Sequence, residues 1–263
     1  MTILGVAVGV LIVLVVAVGQ LGNKASGKLV DPQISYPAAL KDGTALGKAD
    51  APLTMEVYGD FQCPVCAKHS LDVEPTLVAK YVTDGNLRIV HHDIDLLGRG
   101  GDESKIPAIG AYCANEQGKY WDYAHWIFNN QSGENVGGFK RDRVIKIAVA
   151  AGLDEAKFTA CLDDPAAAAE VAAITAKATN ELGINSTPTI YLDGQQYVGL
   201  KTPTDWATII DAALAKVNAS AAPSGSPAAS AAPSAVPSAA PSAAASAGPS
   251  AVPSAAPSGS TAP

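Results

Sequence analysis

Four cysteines carry the main chemical signal of this sequence, and they fall into two groups. Cys63 and Cys66 form a Cys-Pro-Val-Cys motif, whereas Cys113 and Cys161 are single cysteines far apart in the chain. Two thiols at the spacing of the motif lie about one helical turn apart, so they can form a disulfide reversibly or share a metal ion. The motif therefore predicts either a redox couple or half of a metal site.

The residues around the motif predict how it is positioned. The run LTMEVY at 53–58 has the β-branched and apolar character of a strand, and a helical pattern extends from Pro64 to about Val82. A strand that leads directly into a helix places Cys63 at the helix N-terminus, where free N–H groups and the helix dipole stabilise a thiolate. Cys63 is thus the predicted nucleophile, and Cys66, one turn later, is the buried partner.

A metal site is the alternative use of this motif. Zinc needs two further ligands, and His69 lies near in sequence. His91 and His92 are adjacent on a predicted strand, so their side chains point to opposite faces. We therefore favour the redox couple and expect His69 at the surface. A non-catalytic metal-binding module using Cys63, Cys66 and His69 remains the alternative.

The two single cysteines lie in predicted helices. Cys113 is in AIGAYCANEQ and Cys161 in DEAKFTACLDD, which favours a structural disulfide between two helices over two free buried thiols. Such a bond persists only in an oxidising compartment. The pair therefore predicts a domain outside the cytoplasm.

The distribution of charge divides the chain. All 18 basic and 25 acidic residues lie between Lys24 and Lys216, and the net charge of -7 excludes nucleic acid as a partner. The apolar run from Ile3 to Val18 predicts a membrane anchor or uncleaved signal over residues 1–22. Lys24 and Lys28 after this run would favour a cytoplasmic domain, but the cysteine argument outweighs them. Residues 23–46 are predicted to be a linker, and 218–263 a disordered Ala/Ser/Pro-rich tail.

The remaining patterns predict the elements of the charged region. A second strand is predicted at 86–93, helices alone at about 98–183, and a hairpin turning at Asp193-Gly194. A final helix is predicted from near Thr204 to near Lys216. The result is a sheet interrupted by a helical insertion.

Three segments together resemble a known family. The segments ADAPLTMEVYGDFQCPVCAKHS and NSTPTIYLDGQQYVG, with the helical stretch between them, are similar to the DsbA-like thiol-disulfide oxidoreductases over about residues 47–217. The resemblance implies an α/β thioredoxin fold with an inserted all-helical subdomain. Cys113 and Cys161 match in position the extra disulfide of membrane-anchored members.

The resemblance also implies roles for individual residues. The Thr187-Pro188 bond is expected to be cis and to lie beside the cysteines, with Thr187, Pro188, Pro64 and Val65 contacting substrate. Relatives carry an acid six residues before the nucleophile, but this chain has Val57 there. The candidate proton relays are instead Asp60 and Glu56, although strand alternation turns Glu56 to the other face of the sheet.

The activity that the resemblance implies is disulfide exchange without an organic cofactor. The expected protein is a bacterial, single-pass membrane protein with an extracytoplasmic catalytic domain, acting as a monomer. It is expected to oxidise reduced or unfolded exported proteins and to be reoxidised by a quinone-linked membrane thiol oxidase of the DsbB/VKOR kind. Disulfide reduction or isomerisation at the same site is the alternative activity.

Overall fold

The computed structural model describes residues 27–221, and a mixed β-sheet forms their centre. The strands are Lys41–Asp42 (β1), Ala45–Leu46 (β2), Leu53–Gly59 (β3), Leu87–Asp93 (β4), Thr189–Leu192 (β5) and Gln195–Val198 (β6). Their order across the sheet is β1-β2-β4-β3-β5-β6. β3 runs parallel to β4 and antiparallel to β5. β3 is thus a central strand, and it leads directly to the Cys-Pro-Val-Cys motif.

Helices cover the sheet and form the insertion. They are α1 (residues 64–82), α2 (Lys105–Glu116), α3 (Tyr120–Asn129), α4 (Arg141–Ala150), α5 (Glu155–Leu162), α6 (Pro165–Ala176, continued as a π-helix over Lys177–Glu181) and α7 (Pro203–Ala221). Within α1, the segments His69–Val73 and Val78–Val82 are also π-helical. The parallel β3-α1-β4 unit and the antiparallel β5-β6 hairpin form a thioredoxin-like fold, and α2 to α6 are inserted between β4 and β5.

The ends of the inserted helices follow from their sequences. The Asp154 and Asp164 side chains accept hydrogen bonds from the first turns of α5 and α6, where free N–H groups need partners. Gly118 and Gly152 adopt positive φ between successive helices, which glycine does without steric cost. Cys113 and Cys161 form a disulfide that joins α2 to α5. Helices occupy 105–181, within the predicted insertion of 98–183.

The predicted linker over residues 23–46 is wrong at its C-terminal end. Strands β1 and β2 form a hairpin there, with Gly43 in its turn at a φ of 61°, and β2 pairs with β4. The Trp121 indole N–H donates to the Ala45 carbonyl, and Leu46 is fully buried. Strands of two residues are too short to produce a detectable alternation, so only the Asp42-Gly43 turn signal could have indicated them.

The predicted start of the tail at residue 218 also needs correction. Helix α7 continues to Ala221, beyond the predicted end near Lys216. The last charged residue does not end the helix, because uncharged residues such as Ala and Ser continue a helix without a break. The rest of the predicted tail, and the anchor predicted at 1–22, lie outside the described residues.

Among the helices of residues 27–221, none combines the length and apolar character that crossing a bilayer requires.

Replacing Leu46 tests whether the β1-β2 hairpin belongs to the folded core. We expect Leu46→Ala to lower the free energy of unfolding by about 2–5 kcal/mol, because a fully buried leucine leaves a cavity. The matched control is Leu200→Ala, at a leucine that is 45% exposed, with an expected loss below about 1 kcal/mol. Both are measured by denaturant unfolding of the oxidised protein. Equal losses would place the hairpin outside the core.

Candidate active site

Cys63 lies at the point where β3 has ended and α1 begins. It is the N-cap residue of α1, and its sulfur accepts a hydrogen bond from the main-chain N–H of Cys66 at 3.4 Å. Pro64 occupies the first helical position, where a missing N–H costs nothing. The local sequence thus directs the open end of the helix towards the Cys63 sulfur, as predicted from the strand-to-helix pattern.

The pKa values of the two cysteines are shifted in opposite directions. Hydrogen bonds from the Cys66 thiol, from the Thr187 side chain and from the main-chain N–H groups of Val65 and Cys66 outweigh burial and lower the pKa of Cys63 to about 6. Burial and the neighbouring Cys63 raise the pKa of Cys66 well above its usual value. Near neutral pH the reduced site therefore holds a thiolate at Cys63 and a protonated thiol at Cys66.

The Thr187-Pro188 loop lies against this pair. Its peptide bond is cis, and the Thr187 carbonyl oxygen is 3.3 Å from the Cys63 sulfur. The side chain of Pro188 is buried, and its carbonyl accepts a hydrogen bond from Gly199 beside β6. The carbonyl of Thr187 therefore faces the reacting sulfur.

A groove of about 800 Å³ opens beside Cys63. Of the residues predicted to contact substrate, Pro64, Val65 and Thr187 line it and Pro188 does not. The rest of the lining comes from the loop after β4, the loop after α3, the end of α6 and the segment that follows α6, and includes Leu96, Leu97, Arg99, Glu134 and Ile184. Apolar side chains next to exposed main chain suit an extended polypeptide segment.

The two predicted proton relays, Asp60 and Glu56, lie in different surroundings. The buried Asp60 carboxylate already accepts four hydrogen bonds, from the N–H groups of Gln62, Leu96 and Leu97 and the hydroxyl of Ser104. The Asp60 carboxylate therefore holds the loops together, and its part in proton transfer stays a prediction.

Glu56 lies on the opposite face of the sheet from the cysteines. A side chain at Gly59 would point at the Cys66 sulfur, 3.6 Å away, so the even-numbered Glu56 faces the other way. Its carboxylate is instead 3.9 Å from His92. Val57, at the position of the family's acid, is buried. The proposed relay through Glu56 is therefore wrong.

Sequence reasoning missed the polar network beside the nucleophile. Gln62 is buried, and its amide bonds the Ser104 hydroxyl and both the main chain and side chain of Asn135, which in turn donates to the Leu97 carbonyl. Asp60 and Gln62 thus fix both walls of the groove. The signal that could have indicated this is the pair of polar residues around Phe61, directly before the motif.

The expectation of a surface His69 is also wrong. Its ring is fully buried near Trp206, and burial lowers its pKa to about 4. Within residues 27–221, no three His, Cys, Asp or Glu side chains are disposed to hold a metal ion. The geometry therefore does not favour a site made from Cys63, Cys66 and His69.

A thioredoxin-like sheet, a Cys-x-x-Cys at a helix N-terminus and an inserted helical subdomain define a class of redox proteins. The family model described as Thioredoxin matches residues 40–212, more than half of the chain. The chain belongs to this thioredoxin family.

Two kinds of curated protein are similar to this chain. A Na(+)/H(+) antiporter NhaA of Herminiimonas arsenicoxydans is 28% identical over 74% of this chain and 28% of its own length. The disulfide bond formation protein D of Bacillus subtilis is 25% identical over 37% of this chain and 44% of its own length. The chain therefore spans less than half the length of these relatives.

Two solved structures have the same fold. α-DsbA1 of Wolbachia pipientis has a TM-score of 0.59 and 20% identity, with 73% of this chain and 99% of that chain covered. Oxidised BdbD of Bacillus subtilis has a TM-score of 0.58 and 21% identity, with 71% and 98% covered.

Alkylation against pH tests the assignment of the two thiols. In the reduced protein we expect iodoacetamide to modify Cys63 with a half-maximal rate near pH 6, the value to which its pKa is lowered. The rate rises with pH because the thiolate is the nucleophile. Cys66 should stay unmodified until the protein unfolds. A Cys63→Ser variant measures this directly, because Cys66 is then the only thiol left in the motif. Equal labelling of both thiols, with a midpoint near the ordinary thiol value, would contradict the assignment.

Proposed function

We propose that this protein is an extracytoplasmic thiol-disulfide oxidoreductase that works mainly as an oxidase, introducing disulfide bonds into exported proteins. The observation that supports it most is the asymmetry of the site: a stabilised Cys63 thiolate on the groove beside a buried Cys66 thiol. A stabilised thiolate favours the reduced form of the couple. The disulfide form is therefore the more readily reduced, which is the property of an oxidant.

The reaction begins with the Cys63–Cys66 disulfide. A substrate thiolate in the groove attacks the Cys63 sulfur, the Cys63–Cys66 bond breaks, and Cys66 leaves as a thiolate that takes up a proton. A second substrate thiolate then attacks the substrate sulfur of the mixed disulfide and expels the Cys63 thiolate. Two electrons pass from the substrate to the protein, and the substrate gains one disulfide. The low pKa of Cys63 makes it a good leaving group in the second step.

The location and the partners are part of the same proposal. The Cys113–Cys161 disulfide supports an oxidising compartment outside the cytoplasm, because such bonds are reduced in the cytoplasm. The names of two relatives, which are disulfide bond formation proteins, support disulfide formation as the reaction. A quinone-linked membrane thiol oxidase of the DsbB/VKOR kind is the oxidant that regenerates the Cys63–Cys66 disulfide.

A trapping variant tests the role of the motif. In Cys66→Ala, the Cys63 thiolate can attack a disulfide of an exported protein and form a mixed disulfide, with a substrate thiolate as the leaving group. We expect this species to accumulate, because Cys66 can no longer attack the Cys63 sulfur and expel the bound protein. Nonreducing electrophoresis followed by mass spectrometry would identify the captured proteins. The matched control is the Cys63→Ala/Cys66→Ala variant, which should capture none. Capture by the control, or activity towards reduced substrates in Cys63→Ala, would refute the mechanism.

The reduction potential distinguishes oxidation from reduction or isomerisation. We expect equilibration with glutathione to give a value near the DsbA end of the family range, about -120 mV, because the reduced form is stabilised. A value near that of thioredoxin, about -270 mV, would assign the protein to reduction instead. An intermediate value near about -180 mV, as in protein disulfide isomerase, would favour isomerisation.

A further inference from the structure

A glutamine of the helical insertion reaches the main chain of the active-site turn. Gln131 follows the C-terminal end of α3, and its side-chain nitrogen donates to two carbonyl oxygens, those of Phe61 at 2.6 Å and Cys63 at 3.0 Å. One amide group thus uses both of its N–H donors on the turn that carries the nucleophile.

These two carbonyls lie where regular structure gives the main chain little support. The turn between β3 and α1 is held internally by the bond from the Cys63 N–H to the Asp60 carbonyl. The Phe61 carbonyl lies outside both the strand and the helix ladders. The Cys63 carbonyl accepts the first bond of the helix, from Ala67 at 3.1 Å, and its second lone pair is directed to Gln131. Gln131 therefore holds the turn on both sides of Gln62.

The glutamine is itself firmly placed by its neighbour. Asn130 is buried, and its side chain bonds the Trp126 carbonyl and both main-chain groups of Val30. Its carbonyl accepts a hydrogen bond from Arg143 on α4. A short, anchored connection thus joins the helical insertion to the Cys63 turn.

We propose that Gln131 is a positioning residue that holds the Cys63 sulfur against the first turn of α1 and thereby tunes the reduction potential of the Cys63–Cys66 couple. The sulfur meets the Cys66 N–H at 3.4 Å, a contact that a small rotation of the turn would lengthen. The positive end of the Gln131 amide also offsets the carbonyl dipoles near the thiolate. This proposal rests on the proposed redox function. It means that the helical insertion, through Gln131, helps to set the reduction potential of the couple.

The experiment compares two glutamines with the same substitution. Gln131→Met keeps the length of the side chain and removes its donors. Gln117→Met is the matched control, because Gln117 also bonds the main chain through its amide, but at Asp154 in the insertion. Thiolate absorbance against pH gives the pKa of Cys63, and glutathione equilibration gives the equilibrium constant of the couple.

We expect Gln131→Met to raise the pKa of Cys63 by on the order of half a pH unit and to shift the glutathione equilibrium about 3-fold towards the oxidised protein. The reason is that the turn loses both of its bonds to Gln131, and weakening the one hydrogen bond from the Cys66 N–H to the Cys63 sulfur is comparable to a fraction of a pKa unit. Gln117→Met should leave both values unchanged even where it lowers the thermal midpoint. Gln131→Lys, which supplies N–H donors again, should return the pKa of Cys63 to the original value or below it.

Other outcomes overturn the proposal in recognisable ways. An unchanged pKa and equilibrium constant in Gln131→Met, or equal shifts in Gln117→Met, would show that Gln131 has no specific effect on Cys63. A shift in the same direction for Gln131→Met and Gln131→Lys would assign the change to general disturbance of the fold. If Gln131→Met does not fold, the Lys variant decides by itself: a raised pKa refutes the role. Failure of the proposed redox function is distinguishable from failure of the Gln131 proposal. In the first case the unaltered protein itself would lack the lowered pKa of Cys63 or would not exchange disulfides.

Discussion

The contact between the Cys63 sulfur and the open N-terminus of α1 is the constraint on which the active site depends. A thiolate at this place requires a strand that ends at the correct depth, a turn that exposes the sulfur, and a helix whose first N–H groups are free. Residues 53–82 supply these elements in order, and Pro64 starts the helix without adding a competing donor. The groove and the Thr187 loop can take part in the reaction only because they lie beside that sulfur.

A second constraint is that the turn before Cys63 must organise loops that are distant in sequence. Asp60 and Gln62 are buried polar residues, which is costly unless every polar group has a partner. Their partners lie at 96, 97, 104 and 135, in the two loops that form the groove walls. The hydrogen bonds of Asp60 and Gln62 therefore link the position of the nucleophile to the shape of the groove.

Much of this arrangement could be predicted from the sequence, because its signals are local. The strand before Cys63, the length of α1 and the helical insertion follow from periodicity and turn residues. The buried pair of Glu74 and His91, 2.6 Å apart, could not be predicted, since each residue looks like an ordinary polar position and only the β3-α1-β4 packing brings them together. The hydrogen-bond partners of Asp60 could not be predicted for the same reason, because tertiary structure decides them.

The chain uses cysteine chemistry twice, and the surroundings decide the difference. Cys113 is fully buried between helices, where its bond to Cys161 closes a long loop and limits the unfolded ensemble. Cys63 is also buried, with only 5% of its surface exposed, yet its sulfur contacts a helix N-terminus and borders a groove. Burial alone therefore does not separate a structural thiol from a reactive one. What separates them is the set of donors that stabilise a charge on sulfur and the space for a second chain to approach it.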